Sequence, residues 1–166
     1  MKVNIALLTV TDTRTIDNDK SGAILVDKIK GANHNLIDRK ICKDNKDEIV
    51  LILKEWLKNE KIDAIITTGG TGLTGRDITP EALDEIADKH IPGFGEVFRN
   101  ISLKTVGTSA IQSRACAVLA NGKYVFALPG SSGGVTDAWE GILKHQLDVN
   151  HKPCNFVELF PRLKEK

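Results

Sequence analysis

Hydrophobic positions along the chain gather into short β-rich runs, each passing through small polar residues into a helical pattern. "VNIALLTVTDTR" leads into "SGAILVDKIKGA", "KIDAIITTGGTG" leads past Arg76-Asp77 into "TPEALDEIADKH", and "KYVFALPGSSGG" leads into "VTDAWEGILKHQL". Near-continuous apolar runs suit strands covered on both faces. Their alternation with helices predicts an α/β fold with a mostly parallel sheet and helices on both sides. "NLIDRKIC" reads as a further strand, and "KDEIVLILKEWLKNE" sets Ile49, Leu53, Trp56 and Leu57 at helical spacing, so Trp56 is assigned to the core. The segment "IPGFGEVFRNISL" carries Phe94, Val97, Phe98, Ile101 and Leu103, also assigned to the core. No repeat, low-complexity stretch or linker divides the chain, so residues 1–166 are read as a single domain with an extended tail at about 151–166. That tail places Phe156, Leu159 and Phe160 between two prolines without clear periodicity, and must lie on its own domain or on a neighbouring subunit.

Composition narrows the function classes. A chain of 166 residues suits one domain with a real core, and 23 Lys+Arg against 22 Asp+Glu gives no reason to expect nucleic acid or a polybasic membrane contact. "IALLTV" is far too short to span a membrane, and the N-terminal segment lacks the apolar region of a secretory signal, so a cytoplasmic protein with no membrane association is expected. Cys42, Cys116 and Cys154 are odd in number and far apart, which argues against a disulfide framework or a zinc knuckle. His34, His90, His145 and His151 share no metal-ligand spacing.

In an open α/β sheet the ligand site lies beyond the carboxyl ends of the strands, so the loops "TDTR", "TTGGTGLTGRD" and "PGSSGG" are expected to converge there. Gly69, Gly70 and Gly72 allow positive φ and close approach of a ligand, and their N–H groups can form a nest for an anion. The same glycines also suit a plain tight turn. Thr79 is expected as the N-cap of the next helix, with Pro80 at its first position. The loop lacks the lysine of a P-loop and the spacing of a dinucleotide fingerprint. Asp77 beside a phosphate nest calls for a cation such as Mg²⁺ to offset repulsion, or else is a solvated loop residue. Asp44 follows a strand and falls near the same sheet end. Asp47 and Glu48 suit the start of the following helix on dipole grounds alone. Ser109, Ser113 and Arg114 in "GTSAIQSRA" offer hydroxyls and a guanidinium that can grip a polar ligand or begin a turn.

"TTGGTGLTGRDITPEAL", "PGFGEVFR", "GTSAIQSRA" and "FALPGSSGG", in that order and over nearly the whole chain, closely resemble the molybdopterin-binding family of molybdenum cofactor biosynthesis, MoaB/MogA type. "GTSAIQSRA" and the "KPCNF" tail resemble the MoaB branch more. The resemblance implies a three-layer α/β/α domain that assembles as a homotrimer or homohexamer. It implies Mg²⁺- and ATP-dependent adenylylation of molybdopterin with release of pyrophosphate. Asp44 and Asp77 fall on the positions linked to Mg²⁺ and catalysis. Gly69, Gly70, Thr71, Gly72 and Ser113 fall on the pterin side, and Thr11, Asp12, Pro129, Gly130 and Ser131 on the nucleotide side. The alternative within the same pathway is a non-catalytic protein that binds molybdopterin or a precursor.

Overall fold

The first strand, β1 (Asn4–Val10), is buried along nearly its whole length because it is covered from both sides. Ile5 and Leu7 point into one apolar cluster, Ala6 and Leu8 into another, as the two-residue period of a strand requires. In the computed structural model, which describes residues 1–165, β1 lies in a six-stranded sheet of order β2-β1-β3-β6-β5-β4. Its partners are β2 (Asn35–Cys42), β3 (Ala64–Thr68), β4 (Lys89–His90), β5 (Cys116–Ala120) and β6 (Lys123–Leu128). β2, β1, β3 and β6 run parallel, whereas β5 pairs antiparallel with β6 and with β4. Asn121 and Gly122, both at positive φ, turn β5 into β6. The mostly parallel sheet follows from the strand–helix alternation, and the antiparallel edge is an addition to it.

Helices α1 (Lys20–Gly31), α4 (Pro92–Val106) and α5 (Ser132–Ala138) cover one face of the sheet, packing Leu25, Phe98 and Val135 onto Leu7, Ile66 and Phe126. α5 runs on into a π-helical turn, Trp139–Leu143. Helices α2 (Lys46–Lys58) and α3 (Thr79–Ile86) cover the other face with Ile49, Leu53, Trp56 and Leu83. Trp56 is buried, as its helical stripe requires, and its indole N–H donates to Asp38 at 2.9 Å. The tail lies on its own domain: Phe156 and Phe160 pack on the Tyr124 ring, and a 3-10 helix forms at Val157–Arg162. In α4 the sequence expectation needs correction. Phe94 and Phe98 are core, but Val97 and Leu103 are each 49% exposed, because a single stripe of the helix faces the sheet.

Asp19 fastens α1 to β1 and β2. Its Oδ2 accepts from Thr9 Oγ1 at 2.6 Å and Arg39 Nη2 at 3.0 Å, while Oδ1 accepts from Gly22 N at 2.9 Å and Ser21 Oγ at 3.3 Å. Burial pushes this carboxyl up, but the donors from Thr9, Gly22 and Arg39 outweigh burial and hold it below the ordinary aspartate value of 3.8. Both oxygens face donors, so an amide, which carries a donor on one side, cannot replace the carboxylate. Asp19→Asn is expected to cost about 2 kcal/mol in urea unfolding at neutral pH. Because the folded pKa is lowered, the wild-type contribution is fully present above the unfolded value of 3.8 and fades as pH falls through the lower folded one. The gap between wild type and variant is therefore expected to close in acid. A pH-independent gap would contradict this account.

Candidate functional site

Loops after β1, β3 and β6 meet at the carboxyl end of the sheet. Thr11 N donates to the Cys42 carbonyl at 2.9 Å, and Gly69 N donates to the Leu128 carbonyl at 3.0 Å, so each loop starts as an extension of the ladder. Gly69 (φ 102°) and Gly70 (φ 67°) then turn the chain through the left-handed region. A Cβ on Gly69 would strike the Val10 carbonyl, and one on Gly130 would sit 3.3 Å from the Gly69 Cα. The three loops therefore touch through backbone, which only residues without side chains permit.

Thr79 does not cap α3. It is fully buried inside the first turn, Ile78 occupies the cap position, and the Thr79 hydroxyl donates to the Gly69 carbonyl at 2.8 Å. The hydroxyl thereby ties the glycine turn to the helix. Arg114 likewise serves the loop rather than a ligand. Its Nε donates to the Gly72 carbonyl and its Nη2 to the Asp77 carbonyl, each at 2.7 Å, and its guanidinium pairs with Glu81. Those bonds hold the "TGLTGRD" bend in one shape.

Two pockets open on either side of this turn. The larger, about 640 Å³, is lined by Gly70, Thr71, Gly72 and Ser113, with Phe98 and Thr105 of α4 and Asp137 of α5. The smaller, about 350 Å³, is lined by Thr11, Arg14, Asp44 and Gly69. Gly70, Asp77, Gly130 and Ser131 line both and form the shared wall. Ser109 also falls on the larger pocket, and so does Pro129, which, unlike Gly130 and Ser131, does not reach the smaller one. Asp12 lines neither; its carboxylate is gripped by Arg76 through Nε at 3.0 Å and Nη2 at 2.8 Å. Arg14 drew no notice in the sequence beyond its place in "TDTR". Among the described residues it is the only cation on the smaller pocket, steadied by Nη1 contacts to the Gly130 carbonyl at 3.1 Å and Ser21 Oγ at 3.2 Å. None of the four histidines lines either pocket.

The acids around the shared wall are shifted in different directions by their surroundings. The Arg76 hydrogen bond holds Asp12 below the usual aspartate value. Asp77 is pushed up by partial burial, but donation from the Thr74 hydroxyl at 2.7 Å and the Thr74 and Gly72 backbone N–H groups leaves it lowered. Asp44 is raised, first by burial and then by the negative charges of Asp12 and Asp77. The Asp12 backbone N–H and the Arg76 charge offset this only in part, and the Asp44 Oδ1 lies 3.3 Å from where a Cβ on Gly70 would be. Asp47 and Glu48 lie in the first turn of α2, where Asn45 caps the helix through Glu48 N at 3.0 Å. Among the described residues no group of three or more His, Cys, Asp or Glu forms a metal cage, and no helix is long and apolar enough to cross a membrane.

Comparison with known proteins accords with this geometry. Residues 6–149 match the family described as "Probable molybdopterin binding domain". The chain is 43% identical to Molybdenum cofactor biosynthesis protein B of Escherichia coli (strain K12) over 161 residues, covering 97% of this chain and 93% of that relative. A crystal structure of a Molybdenum cofactor biosynthesis protein B superposes with a TM-score of 0.89 at 36% identity, covering 100% of this chain and 98% of the other. The tungsten cofactor synthesizing protein MoaB from Pyrococcus furiosus superposes with a TM-score of 0.76 at 35% identity, over 84% of this chain and 89% of its own. The chain belongs to the molybdopterin-binding family of molybdenum cofactor biosynthesis, MoaB/MogA type, and lies closer to the MoaB branch.

Proposed function

We propose that this protein adenylylates molybdopterin, using Mg²⁺ and ATP and releasing pyrophosphate. The observation that carries the reading is the pair of pockets with one shared wall, to which Asp77 belongs, and with Asp44 lining the smaller pocket within the reach of its charge. The larger pocket takes the pterin, with its phosphate directed to the glycine turn. The smaller takes the nucleotide, with Arg14 beside its phosphates. A terminal phosphate oxygen of molybdopterin attacks the α-phosphorus of ATP, the bond from that phosphorus to the β-bridging oxygen breaks, and pyrophosphate leaves with the electron pair. The attacking oxygen is already anionic, so no histidine base is needed. The backbone amides and hydroxyls supply positioning.

The donor set fits Mg²⁺. Asp44 is crowded by the negative charges of Asp12 and Asp77, so a cation there relieves repulsion. Mg²⁺ is commonly held by one or two carboxylates completed by phosphate oxygens, which accounts for two acids without a full cage. Asp44 and Asp77 would hold the ion, and it would neutralise charge on the phosphates. Asp12 is unsuited because Arg76 occupies its oxygens.

Isothermal titration is expected to find molybdopterin and a non-hydrolysable ATP analogue binding together, each at about one per chain and neither excluding the other. Mutual exclusion would sink the two-pocket reading, and pterin binding without nucleotide binding would favour the carrier alternative. We further propose assembly as a homotrimer or homohexamer. The exposed apolar side chains of Val97, Leu103, Val106 and Ile111 around α4 support it, since a ring would cover them. Light scattering at micromolar protein is expected to give a multiple of three chains, and a stable monomer would refute this.

A further inference from the structure

The larger pocket contains an acid for which a phosphate has no use. Of the side chains lining it only Asp77 and Asp137 are ionisable, and neither brings positive charge. Asp77 belongs to the wall shared with the smaller pocket, whereas Asp137 lines the larger one alone. Asp137 stands on α5. Its Oδ2 lies 2.9 Å from the hydroxyl of Thr105 on α4, which is also 3.0 Å from the Ser102 carbonyl. Oδ1 meets no donor among the described residues. The carboxylate is thus oriented by one neighbour and keeps acceptor capacity for a ligand. The same pocket presents Phe98, Val106 and Ala110, an apolar wall suited to a flat ring.

A fixed carboxylate repels phosphate and selects paired N–H donors. The 2-amino-4-oxopyrimidine ring of a pterin carries an exocyclic N–H and a ring N–H side by side, and a carboxylate accepts both in parallel. We infer that Asp137 reads this edge of the pterin, that Thr105 orients it, and that together they select 2-amino pteridines over 2-oxo ones. The inference rests on the molybdopterin reading of the larger pocket. On this assignment the ring edge sits at α5 beside Asp137 and the phosphate at the glycine turn.

Fluorescence titration with the monophosphate esters of 6-hydroxymethylpterin and 6-hydroxymethyllumazine tests the assignment. Wild-type protein is expected to favour the 2-amino ligand by about ten- to a hundredfold, the range of a good bidentate pair. In Asp137→Asn the preference is expected to vanish or invert, because an amide offers one donor and one acceptor and so matches the N–H and C=O of the 2-oxo ring. Thr105→Val is expected to weaken the 2-amino ligand severalfold while keeping the direction of the preference. Asp137→Asn with the wild-type preference, or with both ligands weakened equally, overturns the assignment and leaves the pterin reading of the pocket standing. Wild-type protein that binds neither ester overturns both.

Discussion

Asp77→Asn is expected to fold normally and to lose at least about a hundredfold in turnover. An asparagine oxygen can still accept from Thr74 N and Thr74 Oγ1, which Asp77 Oδ2 now does at 2.9 and 2.7 Å, so the bend keeps its shape. What disappears is the negative charge on the wall shared by the two pockets. Loss of one electrostatic group aimed at a developing charge costs roughly 10²–10³ in rate. The effect belongs to kcat, since the interaction is worth most where phosphate charge is rearranging. Melting within a degree or two of wild type, with turnover collapsed, is the expected pair of readouts. Asp44→Asn separates activity from stability further. Burial and the charges of Asp12 and Asp77 raise the Asp44 pKa, so its ionised form is unfavourable in the ligand-free fold. A raised acid pKa means that folding is helped as pH falls through the folded value and is opposed above it. Neutralising Asp44 is therefore expected to leave ligand-free stability unchanged or slightly higher while turnover falls. A marked loss of melting temperature would assign Asp44 to the scaffold instead.

Gly69→Ala is expected to destabilise the protein by about 2–6 kcal/mol and to abolish binding in both pockets. A non-glycine residue in a sparsely populated positive-φ conformation costs of order 1–3 kcal/mol, and Gly69 sits at φ 102°. The added methyl also meets the Val10 carbonyl, a backbone atom that cannot rotate away. Relief requires β1 and β3 to separate at their ends, which strains the bonds from Thr11 N to Cys42 and from Gly69 N to Leu128. Overpacking of this kind adds about 1–3 kcal/mol. Gly75→Ala makes a control in the same loop, since its Cβ would meet open space and its φ is not positive. Chemical denaturation should place the control near wild type. Equal stability for the two variants would mean that the glycine turn is not the tight junction described.

The layers of the fold were legible because β1, β3 and β6 are apolar on both faces and each is followed by a helix. The meeting of their loops followed from parallel strands alone. Other features depend on partners distant in sequence. "TPE" marks a helix start equally well whether threonine caps from outside or lies within the first turn, and only the Gly69 carbonyl decides between them. Arg114 reads as a free guanidinium until Gly72, Asp77 and Glu81 are brought beside it. Arg14 gave no signal beyond its loop, since its role depends on the Gly130 carbonyl across the sheet. Asp12 falls on the nucleotide side by resemblance, and the Arg76 pair that engages its carboxylate joins two separate loops. One signal was present and passed over: Asn121-Gly122 between apolar runs announces the hairpin that makes the sheet's edge antiparallel. The half-exposed Val97 and Leu103 show the limit of a hydrophobic count in a helix that has a single covered stripe.

Pyrophosphate release from ATP by the purified protein, with Mg²⁺ and with or without molybdopterin, tests the central claim most directly. The account predicts release only when molybdopterin is present, one pyrophosphate for each AMP joined to the pterin phosphate, and none after magnesium is removed with a chelator. Tight molybdopterin binding with no release under saturating Mg²⁺ and ATP would contradict it and leave a protein that carries the pterin without acting on it.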